Sequence, residues 1–142
     1  MKTTHKNGEL NSMSSFNTWN ELYEKSIDVG TENKVSESFY TGSVGAAILS
    51  DTDNIYSGVS IDTACSIGFC AERNAIGTMV TNGDKKITKM VATKNGKVIM
   101  PCGVCREFMM QLGHDSKNIE ILASLEPLST VLLKDLLPNY WA

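Results

Sequence analysis

The chain has 142 residues, 42% of them apolar, with 13 Lys plus Arg against 16 Asp plus Glu, four Cys, two His and three Pro. That is chain enough for one domain able to bury roughly 68–70% of its unfolded surface without staples, and too apolar for disorder. A net charge of −3 argues against a non-specific grip on nucleic acid or anionic lipid, and no apolar run nears the roughly 18 residues of a membrane span.

In chain order, residues 1–14 carry almost no apolar periodicity and no signal-peptide core, and read as a loose arm; residues 15–142 read as a single domain. Over 15–29, Phe16, Trp19, Leu22 or Tyr23, and Ile27 recur at helical spacing, with Ser14, Ser15 or Asn17 as the cap and Gly30 as the stop. A polar connector runs to Ser38. A hairpin follows: a small apolar strand over 44–49, the turn cluster Asp51-Thr52-Asp53-Asn54, and alternating Ile55, Ser57, Val59 and Ile61. A second helix spans 70–80 on Ala71, Ala75, Ile76, Met79 and Val80, stopped by Asn82-Gly83. Residues 87–93 read as a strand, Asn95-Gly96 as a turn, and Pro101 opens a third helix ended by Gly113. A strand at 119–123 and a short helix at 130–137, closed by Pro138, complete the chain. Strands alternating with helices after a hairpin predict an α/β fold, three layers α/β/α with one mixed sheet.

The four Cys are too few and too unevenly placed for a secreted disulfide scaffold. Cys102 and Cys105 lie three apart at a helix start, and Cys70 opens another helix. Both are positive dipole ends that favour thiolates. Three such sulfurs make a three-point grip on Zn²⁺ and leave a position open for water, the pattern of a catalytic rather than a structural zinc. Glu72, two residues after Cys70, is placed to carry protons for that water. Zinc with three thiolates carries net negative charge and activates water poorly unless a cation lies near. Arg73 and Arg106 each follow the cluster directly, and Arg73 is preferred as the compensating cation. The competing readings are a thioredoxin-like redox pair at Pro-Cys-Gly-Val-Cys and a structural zinc site. Cys65 reads as a small buried hydrophobe.

The segments Cys70-Ala71-Glu72-Arg73 and Pro101-Cys102-Gly103-Val104-Cys105-Arg106-Glu107 together resemble the zinc-dependent cytidine deaminase family. The likeness extends to Val44-Gly45-Ala46-Ala47, to Gly58-Val59-Ser60-Ile61-Asp62 at the place of the family's Gly-x-Asn-x-Glu strand, and to Leu136-Leu137-Pro138 with Tyr140 and Trp141. An all-Cys ligand set is similar to the small tetrameric nucleoside deaminases and to blasticidin S deaminases. The resemblance implies one Zn²⁺ per chain on Cys70, Cys102 and Cys105, with Glu72 moving protons from water to N3 of the base and then to the leaving ammonia. Backbone groups near Ala71 and Pro101 would meet the pyrimidine edge.

The same resemblance implies a cytoplasmic enzyme of pyrimidine salvage that deaminates a free cytosine nucleoside. It would be a homotetramer, or a dimer, with no nucleic-acid or membrane partner. Blasticidin S is the alternative substrate, and a non-catalytic zinc-fold binding protein the alternative class. Where the family holds ribose with Asn and Glu, this chain has the shorter Ser60 and Asp62; Gly42 sits where a base-packing Phe is expected, leaving Phe39 and Tyr40 as the nearest aromatics. Tyr140 and Trp141 are placed either to reach a neighbouring subunit or to pack the chain's own tail.

Overall fold

The computed structural model describes residues 4–142, with side chains from Ser14 onward. Helix α1 spans Thr4–Val29, so helical backbone begins inside the stretch expected to be an arm. Good helix formers such as Lys6, Glu9 and Leu10 outweigh the lone Gly8 there. The arm's first three residues lie outside the described residues. The connector expected to reach Ser38 contains a strand, β1 (Asn33–Ser36), exposed throughout and paired with the start of β2 (Phe39–Ser50). The predicted hairpin is present, with β3 at Ile55–Thr63 pairing antiparallel to β2.

After β3 come α2 (Ala71–Thr81), β4 (Ile87–Lys94), β5 (Lys97–Ile99), α3 (Gly103–Met110) and β6 (Glu120–Ser124). The helix expected at 130–137 is instead a strand, β7 (Ser129–Leu132), followed by a 3-10 turn at Leu133–Leu136. Thr130 and Val131 are β-branched, and pairing with β6 decides their state, Ile121 facing Val131. The third helix starts at Gly103 rather than Pro101, with Cys102 as its N-cap.

The seven strands form one mixed sheet. β2 lies between β3 on one edge and β4 on the other, all antiparallel neighbours, and β6 pairs parallel to β4. β3 and β4 are therefore parallel to each other and joined through α2, while β4 reaches β6 through α3. Both helices are crossover connections, which parallel pairing requires.

Alternation along the strands sends side chains to two faces. Ala46, Ile48, Met90, Ala92 and Ile121 pack with Ala71, Ala75, Ile76 and Met79 of α2 and Met109 of α3. Ala47, Val91 and Leu122 pack with Trp19 and Leu22 of α1. Each large aliphatic side chain so buried contributes about 1.5–3 kcal/mol. The result is the predicted three-layer α/β/α arrangement, with α1 on one face and α2 and α3 on the other. Among the described residues no helix is long and apolar enough to cross a membrane.

Candidate metal centre

α2 and α3 start just beyond the carboxyl ends of β3 and β4–β5, the end of an α/β sheet where ligands bind. Gly58 of β3 lets α2 approach: a Cβ there would lie 2.4 Å from the Ala75 nitrogen and 2.7 Å from the Ala71 oxygen. Asn74 adds a hydrogen bond from Nδ2 to the Val59 carbonyl, 3.0 Å. This seating fixes the N-terminus of α2 against the sheet.

Cys70 and Cys102 are the N-caps of α2 and α3, both extended in backbone and both without a capping side-chain hydrogen bond. Cys105 lies buried on the first turn of α3. The Cys70–Cys102 and Cys102–Cys105 sulfur separations are both 3.6 Å, and all three sulfurs lie within 4.8 Å of one another. Tetrahedral zinc with bonds of about 2.3 Å to sulfur asks for edges of about 3.8 Å. The donor set and spacing fit that ion. With Cys70 in the group, Cys102 and Cys105 do not stand as an isolated redox pair.

Glu72 is 3% exposed, and its Oε2 accepts the Cys105 thiol at 3.5 Å. Burial, joined by the Glu72 charge, pushes the Cys105 thiol far up. Burial also raises Cys70. Cys102 goes the other way: burial would raise it, but the amides of Cys105 and Val104 and the neighbouring thiols outweigh burial and bring it below the usual thiol value. Arg73 lies beside the cluster, with its buried Nε making no hydrogen bond. Burial works against its charge, yet the nearness of Cys70 and Cys105 raises its pKa overall. Arg106 faces elsewhere, donating from Nε to the Pro101 carbonyl at 2.7 Å and from a terminal nitrogen to the Leu136 carbonyl at 3.2 Å.

A cleft of about 300 Å³ opens beside Cys70, lined among others by Ser60, Asp62, Ser66, Phe69 and Arg73. The structure thus brings Ser60 and Asp62 to a cleft that Cys70 also lines. Ser60 Oγ accepts the Val44 amide at 3.3 Å, while Asp62 is exposed. Phe39 is not among the lining residues, although it is half-buried and paired across the β2–β3 ladder with Thr63, which is. The aromatic at the cleft is Phe69, whose one signal in the sequence is that it directly precedes Cys70. Cys65, expected to be buried, is exposed in the loop after β3, beside Thr63 Oγ1 at 3.6 Å. That loop runs over the surface and offers no core to enter. Tyr140 and Trp141 fold back onto α3 of their own chain, both donating to Glu107 Oε1, at 3.0 and 3.1 Å.

The model of the cytidine and deoxycytidylate deaminase zinc-binding region matches residues 19–120, which hold the whole cluster. The chain belongs to this deaminase family. Among its relatives are a blasticidin-S deaminase from Bacillus cereus, 37% identical over 82 residues (51% of this chain, 59% of the relative), and a cytidine deaminase from Sporosarcina psychrophila, 33% identical over 99 residues (68% and 72%). The alignments span only 50–59% of the length of the Bacillus protein and of two further deaminases, from Dictyostelium discoideum and Mycoplasma genitalium. The crystal structure of cytidine deaminase from Mycobacterium tuberculosis superposes with a TM-score of 0.73 at 23% identity, covering 87% of this chain and 97% of that one. At that identity the likeness speaks for the fold, and it is the fold that the sequence pattern predicts.

Proposed function

We propose that the protein hydrolyses the 4-amino group of a free cytosine nucleoside, cytidine or deoxycytidine, to give the uracil nucleoside and ammonia. The observation that carries this reading is the convergence of three sulfurs on two helix N-termini with the buried Glu72 carboxylate beside them. Cys70, Cys102 and Cys105 would hold zinc, which supplies the Lewis acidity that makes water nucleophilic near neutral pH.

The rest is proton traffic through Glu72. Its carboxylate accepts a proton from water as the water oxygen adds to C4, and delivers that proton to N3. It then takes the proton of the newly attached hydroxyl and passes it to the amino group, which leaves as ammonia while C4 becomes a carbonyl. Near-complete burial keeps bulk water from intercepting these protons. Arg73 offsets the thiolate charge. The base edge is read by backbone groups near Ala71 and Pro101; the Pro101 carbonyl already accepts Arg106 and keeps a second lone pair.

A second substrate has an observation in its favour. Ser60 Oγ accepts the Val44 amide and keeps its O–H to donate, while Asp62 is the charged group of the pair expected to hold the sugar. A single carboxylate suits an amine-bearing tail, as in blasticidin S, and a blasticidin-S deaminase is among the relatives. Ultraviolet deamination assays on cytidine, deoxycytidine and blasticidin S, side by side with the zinc-loaded protein, test both readings. Turnover of either nucleoside with one ammonia per base supports the first. Turnover of blasticidin S alone moves the assignment to the second. Zinc uptake with no turnover of any cytosine compound would leave a binding protein.

The reading extends to a cytoplasmic enzyme of pyrimidine salvage that acts without nucleic acid or membrane, consistent with the net charge of −3. It also extends to a homotetramer, or a dimer, since the exposed Phe69, Val104 and Phe108 lie beside the cluster and would gain from cover by another copy. Light scattering of the pure protein checks the assembly.

A further inference from the structure

α3 carries two of the three sulfurs and is only eight residues long, Gly103–Met110. Isolated helices shorter than about 12–15 residues do not hold in water, and the Cys102 N-cap has no side-chain hydrogen bond to steady it. Its inner face is held by the buried Cys105 and Met109. Its outer face is held by the end of the chain. Arg106 and Glu107, the two residues after Cys105, grip that segment at two points. Arg106 reaches back to the Leu136 carbonyl at 3.2 Å. Glu107 Oε1 accepts three donors: Gln111 Nε2 at 2.8 Å, Tyr140 OH at 3.0 Å and Trp141 Nε1 at 3.1 Å.

The path of the tail makes this possible. Leu133 is fully buried, and Leu136 and Leu137 pack on the same core cluster as Met109. The chain then turns at Asn139 with φ 55°, a left-handed conformation that Asn tolerates better than most residues. The turn returns Tyr140 and Trp141 to α3. Trp141 remains 76% exposed, so apolar burial contributes little to its position and the polar contacts to Glu107 carry it.

We propose that residues 136–141 form a strap that positions the metal-bearing turn of α3, with Glu107 as the positioning residue. The inference rests on the reading of Cys70, Cys102 and Cys105 as a zinc site. The strap acts through the helix rather than on the metal: loosening the outer face lets the first turn of α3 open, and Cys102 and Cys105 release the ion together.

The test follows zinc release to a colorimetric chelator, together with the sulfur-to-metal charge-transfer spectrum of the cobalt-substituted protein. Four variants are compared: Glu107→Ala, Glu107→Gln, the double change Tyr140→Phe with Trp141→Phe, and Asp84→Asn as a destabilised control at the far end of α2. The double variant keeps two rings and removes both donors, so it answers the question even if Glu107→Ala fails to fold. Zinc release about tenfold faster in the double variant and in Glu107→Ala is expected, with rescue toward the parent rate in Glu107→Gln, whose amide oxygen accepts the same donors. Asp84→Asn should melt earlier and release zinc at the parent rate. A parent that holds zinc while the double variant releases it no faster overturns the strap alone; so does equal acceleration by Asp84→Asn. A parent that takes up no zinc overturns the metal reading, and the strap with it.

Discussion

Gly58→Ala probes the geometry that puts Cys70 and Glu72 where they are. The new methyl carbon would lie 2.4 Å from the Ala75 nitrogen and 2.7 Å from the Ala71 oxygen, both backbone atoms, whereas ordinary contact begins at 3.4 Å. No side chain can swing aside, so α2 must move off β3 by about 1 Å. Overpacking of this kind costs about 1–3 kcal/mol. At about 2–4 °C per kcal/mol for a chain of this size, the melting temperature falls by about 2–12 °C. Because α2 carries Cys70 and Glu72 while α3 carries the other two sulfurs, the same displacement opens the site. A misplacement of about 1 Å costs about 10²-fold in rate.

Gly77→Ala on the same helix is the counterpart. Nothing lies within 4 Å of the added carbon, and the change from Gly to Ala in a helix interior stabilises by about 0.5–1 kcal/mol. Thermal melts and kcat/KM at saturating zinc distinguish the two. If Gly58→Ala keeps the parental melting temperature and kcat/KM, the seating of α2 on β3 does not position the site.

Three further outcomes are expected. Glu72→Gln retains zinc, because the amide has the same shape and is not a ligand, but loses about 10²–10⁴ in kcat; metal analysis beside steady-state kinetics checks it, and a variant within a few-fold of the parent removes the proton-carrying role. Arg73→Gln lowers kcat by about tenfold with little loss of zinc, since it changes the charge at Cys70 and Cys105 without removing a sulfur; unchanged kinetics would leave charge compensation to the helix N-termini. Asp84 sets an acid limit. Its Oδ2 accepts Tyr56, Thr52, Ser50 and Asn54, and these bonds, Tyr56 foremost, hold its pKa at about 2 against 3.8 for the free group. The unfolded chain therefore takes up the proton first. The stabilisation is complete above the unfolded value and drains away as pH falls through 3.8 toward about 2. Melting temperature against pH should slope in that window for the parent and flatten for Asp84→Asn; parallel curves would count against the network.

The metal side of the site is legible from sequence because each half is local, and the pairing of Cys70 with Cys102, 32 residues on, comes from the resemblance of the two segments to one family motif. Cys102 and Cys105 are brought to one turn by helix geometry alone, and Glu72 follows from its distance along α2 to Cys70. The mixed sheet is legible too, since strands alternating with helices after a hairpin imply one. Legibility fails where a partner distant in sequence decides. β5 is three residues that exist as a strand only because Ala92, Thr93 and Lys94 pair with them. Residues 129–132 form a strand because β6 is there to receive them, although the leucines that follow look helical. Pro101 reads as a helix start, yet the helix opens two residues later because Cys102 keeps an extended backbone as its cap.

The cleft beside Cys70 is of this second kind. Ser60 and Asp62 belong to β3, but the cleft they line is closed by the loop after β3, where Phe69 and Ile61 exchange backbone hydrogen bonds at 3.0 Å each. That exchange needs Gly68: a Cβ there would stand 1.9 Å from the Ile61 oxygen. The loop is thus pinned to the strand bearing Ser60 and Asp62, and Phe69 is set at the cleft, by contacts that involve no sulfur. Residues 63–67, by contrast, lie between these pins with Ile67 76% exposed. A change of length or side chain there would reshape one wall of the cleft while Cys70 stays at the head of α2. Ser60 and Asp62, on the pinned strand, would stay in place with it, so that wall of the cleft and the metal side can be altered separately.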